Sequence, residues 1–164
     1  MGPLRLTLLR HGQAQAGDSC PEDFERALTR RGTAEVREMA SRLQSRQLIP
    51  DLILVSPAER TWATAAIVAD TCELDRKQLQ GIRELYLAAP QTIWQLLTRQ
   101  KWHARHVLIC GHNPGLSLIA SSFGPMPRSA DLPPAGCVTA IWHQATWTTI
   151  EPETANACEW DEPV

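Results

Sequence analysis

Three short polar clusters carry residue types that can do chemistry on an anion. Arg10-His11-Gly12 combines a guanidinium that grips an oxyanion, an imidazole that is nucleophilic near neutral pH, and a glycine that permits close approach of a ligand. Ser56-Pro57 with Arg60, and Gly111-His112-Asn113, add a second arginine and a second histidine. Each alone has an ordinary interpretation, because arginine is commonly solvated and a histidine at a strand end is often only hydrogen-bonded.

Each cluster directly follows a run that is typical of a buried strand, at residues 5–9, 52–55 and 107–110. The carboxyl ends of parallel strands meet at one edge of a sheet, which is where ligands of such sheets bind. Two of the runs also lead into predicted helices, whose first N–H groups favour an anion. The sequence therefore predicts one phosphate-binding site built from three strand ends.

Strands and helices alternate along the chain. The pattern predicts four helices. The first is capped by Thr29 and ends near residue 46, and the second has Ser56 as N-cap and Pro57 as first helical residue and ends near 71. The others span about 90–99 and 114–123. A short strand is predicted at 78–82, a proline-bearing loop at 124–134, and an antiparallel hairpin from 137–142 and 146–150. The fold class is α/β: a mostly parallel sheet covered by helices on both faces, a three-layer α/β/α sandwich.

Length and composition favour one domain without a membrane or nucleic-acid partner. The 164 residues carry a formal net charge of −2, and no apolar run approaches the length of a membrane span. We assign 1–150 to the domain and 151–164 to a loosely held acidic tail. Five scattered cysteines without a CxxC pair favour a reducing, cytoplasmic location over disulfides or zinc, and His103 and His106 are interpreted as solvated rather than metal-binding.

Taken together, the motifs resemble the histidine phosphatase superfamily. They are Arg10-His11-Gly12, Leu28-Thr29-Arg30-Arg31-Gly32, Ser56-Pro57-Ala58-Glu59-Arg60 with Thr64-Ala65, and Gly111-His112-Asn113-Pro114-Gly115. The short chain and the GHNPG form are similar to the SixA-type phosphohistidine phosphatases. The resemblance implies a phosphoglycerate mutase-like fold with a six-stranded mixed sheet, and neither a metal nor an organic cofactor.

The resemblance also implies residue roles. His11 is the nucleophile that becomes phosphorylated, and Arg10, Arg60 and His112 bind the transferring phosphoryl group, with Gly12 beside them. Charge neutralisation and positioning are the main requirements of phosphoryl transfer, which agrees with these residue types. We expect His11 to attack as a neutral imidazole and His112 to serve as a cation, giving a bell-shaped pH profile across the histidine range.

Glu84 is the candidate proton donor for the leaving group, by similarity to superfamily members that carry an acid on the equivalent segment. The alternative is a solvated carboxylate paired with Arg83. An imidazole, with a pKa of about 6.5, leaves readily, whereas an alkoxide resembles deprotonated water and needs a proton. Glu84 is therefore optional for a phosphohistidine substrate and necessary for a sugar phosphate ester.

The modest loops predict an open site, which suits phosphohistidine presented on another protein such as a phosphotransfer domain. A phosphatase of protein phosphohistidine is the leading hypothesis. One alternative is a phosphomonoesterase acting on a small phosphorylated metabolite, and another is a phosphate- or phosphoprotein-binding module with little turnover.

Overall fold

Within residues 2–126 and 131–164, which the computed structural model describes, six strands form one mixed sheet. They are β1 (Leu4–Arg10), β2 (Leu52–Val55), β3 (Leu79–Gly81), β4 (His106–Gly111), β5 (Cys137–Trp142) and β6 (Ala157–Asp161). The order is β3-β2-β4-β1-β5-β6, with β3, β2, β4 and β1 parallel and β5 antiparallel to both of its neighbours. The carboxyl ends of β1, β2 and β4 therefore lie side by side.

Helices cover both faces of this sheet, which confirms the predicted three-layer α/β/α sandwich. They are α1 (Arg30–Ser45), α2 (Glu59–Thr71), α3 (Pro90–Thr98) and α4 (Gly115–Ala120). One apolar core joins α1 and α2 to the sheet, and a second joins α3 and α4 to its other face. In the described part of the chain, no helix has the length and apolar character needed to cross a bilayer.

Two helix ends differ from the prediction. The Thr29 hydroxyl caps α1 as expected, accepting the Gly32 N–H at 2.9 Å. By contrast, α2 begins at Glu59 and not at Pro57, because Ser56 does not cap it: the Ser56 hydroxyl lies 2.7 Å from a nitrogen of His112. The helix predicted at 114–123 is also shorter, with its last turns at 121–124 outside α4. Part of the loop predicted at 124–134, residues 127–130, lies outside the described residues.

The predicted loose tail and the predicted hairpin partner are both wrong. Strand β5 pairs with β6, from within the acidic segment, and not with residues 146–150. Trp147 explains the second error, because its indole is buried and donates to the Ala104 carbonyl at 2.7 Å. The acidic segment is held because Asp161 pairs with Arg42 at 2.6 Å and Arg46 at 3.1 Å, which offsets its charge.

Candidate active site

Side chains from three chain segments meet at the carboxyl edge of the sheet. Register places Arg10 opposite Gly111, so His11 and His112 follow adjacent positions of β1 and β4. The Arg60 guanidinium lies between the two rings: its Nε is 3.3 Å from His11 Nε2, and its NH2 is 3.3 Å from His112 Nδ1. The ring centroids of the two histidines are 5.5 Å apart. The structure thus brings His11, Arg60 and His112 together, as the strand ends predict.

The backbone fixes the tautomer of His11. Its Nδ1 lies 2.7 Å from the carbonyl oxygen of Gly12. A carbonyl can only accept, so Nδ1 carries the proton and Nε2 keeps its lone pair. The Arg60 Nε–H donates to that same Nε2, which agrees with this assignment. The nitrogen that faces the cluster is therefore the nucleophilic one.

Burial and neighbouring cations keep His11 neutral. Desolvation, followed by the charges of Arg60 and Arg10, lowers its pKa to about 4, although the hydrogen bond to the Gly12 carbonyl partly opposes this shift. At neutral pH the imidazole is consequently unprotonated at Nε2. This agrees with the neutral nucleophile expected from the sequence.

His112 differs from the cation that we expected. Burial, followed by the charge of Arg60 and then that of His11, lowers its pKa to about 3. Its Nδ1 accepts from Arg60, so its Nε2 carries the proton and donates to the Ser56 hydroxyl at 2.7 Å. Arg60 and a protonated His112 would be two adjacent cations in a buried site, and their repulsion cannot be read from the residue types alone. A bound dianion would be needed to favour the imidazolium form.

Arg60 is the central cation of the cluster and is almost fully enclosed. Its side chain is 3% exposed although it lies in the first turn of α2, where a cation opposes the helix dipole. A buried guanidinium in that position needs negative partners. In this structure the negative partner is Asp23, whose carboxylate lies 3.0 Å from Arg60 NH2.

Arg10 lies beside the cluster and is held by a backbone carbonyl. Its NH1 donates to the Leu132 carbonyl at 2.9 Å, and burial lowers its pKa. Its Nε is buried and has no hydrogen-bond partner among the described residues. The charge of Arg10 nevertheless depresses the pKa of both His11 and His112. It thus adds positive potential to the pocket.

Gly12 serves packing and positioning in this arrangement. A Cβ there would lie 2.6 Å from a Val36 methyl group and 2.8 Å from the Gly32 carbonyl oxygen, so α1 could not pack against the end of β1. The Gly12 N–H donates to the Thr64 hydroxyl at 3.1 Å. Its carbonyl oxygen contacts His11 Nδ1, and its N–H could contact the phosphate predicted beside Gly12 only if the bond to Thr64 broke.

Asp23 and Tyr86 complete the pocket, and sequence analysis did not single out either of them. Asp23 begins a 3₁₀ turn, Asp23–Glu25, in the polar loop after β1; its carboxylate accepts from Arg60 NH2 at 3.0 Å, from the Tyr86 hydroxyl at 2.6 Å and from Arg26 at 3.1 Å. These donors, Tyr86 first, hold the pKa of Asp23 well below its usual range. The Tyr86 ring packs edge-on against His112 at 5.5 Å. A lone aspartate among loop acids gives no sequence signal of such contacts.

Glu84 lies in the turn Arg83–Leu85 but not among these side chains. Its carboxylate is 55% exposed and lies 3.7 Å from Arg99 NH1, rather than pairing with Arg83. It borders an open hollow of about 670 Å³ that is also lined by Phe24, Pro57, Gly81, Arg83 and Tyr86. Its role as a proton donor therefore has no contact in support.

His106 is not solvated as predicted but forms a buried hydrogen-bond network. Its Nε2 lies 2.8 Å from the Thr7 hydroxyl and its Nδ1 3.1 Å from the Ile49 carbonyl oxygen. In residues 2–126 and 131–164, no three or more His, Cys, Asp or Glu side chains cluster in a way that could hold a metal ion.

Comparison with known proteins establishes the family. Residues 6–108 match the histidine phosphatase superfamily (branch 1). The chain belongs to that superfamily. It is accordingly a phosphatase, and its mixed sheet and flanking helices are those of the phosphoglycerate mutase-like fold. No curated protein matches the sequence.

Solved structures of histidine phosphatases resemble this one over most of its length. A provisionally assigned phosphohistidine phosphatase SixA from Agrobacterium tumefaciens is 28% identical, with a TM-score of 0.74 over 84% of this chain and 90% of that one. A provisionally assigned SixA from Nakamurella multipartitia is 20% identical (TM-score 0.80, 100% and 98% covered). The protein histidine phosphatase SixA complexed with tungstate is 21% identical (TM-score 0.75, 98% and 97% covered). The last two show similarity of fold alone.

Proposed function

We propose that this phosphatase removes phosphoryl groups from phosphohistidine on a partner protein, through a covalent intermediate on His11. In the first step, Nε2 forms a bond to phosphorus while the bond from phosphorus to the leaving nitrogen breaks, and the electron pair stays on the leaving imidazole. Water then attacks phosphorus, the bond from phosphorus to Nε2 breaks with its electron pair returning to Nε2, and inorganic phosphate leaves with one proton of the water passing to solvent or remaining on the phosphate. Arg60 and Arg10 supply the positive charge that stabilises the transferring group.

The observation that carries the choice of substrate is the ionised state of Asp23. Its carboxylate contacts Arg60 in the cationic cluster, and Tyr86, Arg26 and Arg60 hold it as an anion. An ionised carboxylate has no proton to give to a leaving alkoxide. An imidazole departs without that help, so the pocket favours phosphohistidine over alkyl phosphate esters.

Access and likeness to other proteins support the same proposal. The open hollow is lined by Tyr86 but not by His11, Arg60 or His112; because the Tyr86 ring also packs against His112, we place a histidine presented on a protein surface on that side of the site. The Agrobacterium protein that is 28% identical is provisionally named a phosphohistidine phosphatase, and a structure of the same fold binds tungstate, a tetrahedral oxyanion. All five cysteines are unpaired, which supports a reducing compartment such as the cytoplasm.

The test compares substrates that carry the same phosphoryl group on different leaving groups. The substrates are a phosphotransfer domain phosphorylated on histidine, an aryl phosphate, and an alkyl phosphate such as glycerol phosphate. We expect kcat/KM for the phosphohistidine domain to exceed that for the alkyl ester by a factor of at least about 100, with the aryl ester between them. Comparable turnover of the alkyl ester would favour the metabolite phosphomonoesterase. A labelled His11 that never releases phosphate would favour the binding module.

A further inference from the structure

Asp23 holds both terminal nitrogens of the buried Arg60. The Asp23 backbone carbonyl accepts from NH1 at 2.7 Å, and its carboxylate accepts from NH2 at 3.0 Å. The third nitrogen, Nε, donates to His11. Together with the bond from NH2 to His112, these contacts occupy four of the five N–H donors of the guanidinium, so a phosphoryl group that is to accept two or more bonds from Arg60 must displace at least one of them.

The two partners differ in how readily they can be separated. The Arg60 side chain is 3% exposed, whereas that of Asp23 is 44% exposed. A buried cation must keep a partner, but a half-exposed carboxylate can be hydrated when it is displaced. The Asp23 carboxylate also retains Arg26, at 3.1 Å from its other oxygen. Another anion can consequently replace the Asp23 carboxylate on Arg60 without leaving either the guanidinium or the carboxylate unpaired.

We propose that Asp23 is a specificity-determining residue: it competes with the incoming anion for Arg60, so that a ligand binds only when it carries more charge and more acceptor oxygens than the carboxylate it displaces. A phosphoryl dianion meets that condition, since its three oxygens can reach Arg60 and the neighbouring groups together. A simple carboxylate does not meet it, because it carries the same charge and the same number of acceptor oxygens as the Asp23 side chain. The proposal rests on the phosphoryl pocket of the proposed function, but not on phosphohistidine being the substrate.

The same competition acts on the product. When inorganic phosphate remains after hydrolysis, the return of Asp23 to Arg60 offers the guanidinium a partner and so favours departure of the phosphate. Tyr86, Arg26 and Arg60 keep Asp23 ionised, so the competitor is present throughout the neutral range. Asp23 thereby lowers affinity for substrate and product alike.

Asp23→Asn is the decisive variant because it removes the charge while keeping an oxygen that can accept from Arg60 and Tyr86. The probe is inorganic phosphate, measured by calorimetry and by inhibition of aryl phosphate hydrolysis. If the Asp23-bound state makes up about 90% of the resting population, its loss tightens phosphate binding about tenfold. We also expect acetate, as a simple carboxylate, to bind detectably to the variant and not to the parent protein.

Glu25→Gln is the matched control, since Glu25 is an exposed carboxylate on the same turn and its loss changes the net charge equally. It should leave phosphate affinity within about twofold. Tyr86→Phe removes the hydroxyl that holds the Asp23 carboxylate and should tighten phosphate about two- to threefold. Phosphate binding by Asp23→Asn that is unchanged or weaker, with a circular dichroism spectrum like that of the parent, overturns the proposal. If Asp23→Asn does not fold, unchanged affinity in Tyr86→Phe overturns it instead.

These measurements separate this proposal from the proposed substrate. Inorganic phosphate reports on the pocket whichever leaving group the enzyme prefers. A protein that hydrolyses alkyl esters and still shows tighter phosphate binding in Asp23→Asn would refute the phosphohistidine assignment alone. If the protein prefers phosphohistidine but Asp23→Asn leaves phosphate affinity unchanged, only the proposal that Asp23 competes with the ligand is refuted.

Discussion

The pocket has two regions of opposite character: a floor of His11, Arg60 and His112, and a mouth of Asp23 and Tyr86. Floor side chains come from strand ends and from the first turn of α2, and Arg60 and His112 are buried. Mouth side chains come from or next to short 3₁₀ turns, and the Asp23 side chain is 44% exposed. The cations of the floor are thus buried and come from strand ends and a helix, whereas the opposing charge is a half-exposed carboxylate on a short turn, which we propose can be displaced.

The largest effect should come from His11, the proposed nucleophile of the floor. His11→Ala is expected to reduce turnover by more than about 10⁴-fold and to abolish covalent labelling from a phosphorylated substrate, because no attacking nitrogen remains. Rapid-quench labelling followed by mass spectrometry measures both. His143→Ala, at an exposed histidine, serves as the control and should label normally. Phosphate release from His11→Ala at the original rate would mean that the nucleophile lies elsewhere.

Arg60→Lys should be the next most severe change. Lysine keeps the charge but lacks the planar fork that contacts His11, Asp23 and His112 at once, so we expect kcat/KM to fall about 10²- to 10³-fold. Steady-state kinetics with an aryl phosphate is the measurement. Arg76→Lys, on an exposed turn, is the matched control. A loss below threefold would show that charge alone, without the fork, accounts for the floor.

Ser56→Ala tests whether the Ser56 hydroxyl positions His112 in the floor. Without the hydroxyl, the N–H of the buried His112 ring loses its acceptor, at a cost of about 1–3 kcal/mol. We expect a roughly tenfold lower kcat/KM and a lower free energy of unfolding, read by urea denaturation. Ser45→Ala, at an exposed serine at the end of α1, should change neither. Wild-type kinetics in Ser56→Ala would show that His112 is positioned by Arg60 alone.

The lowered pKa of His11 also predicts that kcat/KM depends only weakly on pH between 5 and 7, where an ordinary histidine would give a strong dependence. A pKa of about 4 leaves about 90% of His11 neutral at pH 5, so kcat/KM for an aryl phosphate should fall by less than twofold from pH 7 to pH 5. An unshifted pKa near 6.5 would give a fall of roughly 20- to 30-fold. The direction is the same in both cases, since protonation blocks Nε2. A pH–rate profile corrected for the ionisation of the substrate distinguishes them.

Glu84→Gln should have the smallest effect. Because Glu84 is half exposed and faces Arg99, we expect kcat to change less than twofold with phosphohistidine and with alkyl phosphate. Parallel assays of both substrates provide the measurement. A selective loss of more than tenfold with the alkyl ester would instead support Glu84 as the proton donor for the leaving group.

The division between floor and mouth is also the division between what sequence reasoning reached and what it did not. Strand runs are read from continuous apolar stretches, and the residues that follow parallel strands must share an edge, so His11, Arg60 and His112 could be grouped in advance. The carboxylate on Arg60 could not, because it depends on a long-range contact between a polar loop and the start of α2. Loop composition specifies neither the path of the backbone nor its partner.

Charge coupling and edge pairing account for the other differences. His112, which residue type and a facing phosphate predict to be a cation, has a lowered pKa because it is buried and lies against Arg60. Strand β6 was hidden in an acidic segment whose charge is offset by arginines from α1, more than a hundred residues earlier. The Ser56 hydroxyl, a good helix cap by local rules, is taken by His112. In each case a distant partner overrides a local preference.

The hydrogen bond between His11 and the Gly12 carbonyl shapes the second half of the proposed reaction as well as the first. While phosphorus is attached at Nε2, the carbonyl keeps the ring proton on Nδ1. Water then expels an imidazole that is already in its starting tautomer, so the enzyme regenerates without relocating a proton around the ring. The covalent intermediate is in this way primed to be short-lived, and its capture depends on quenching faster than it breaks down.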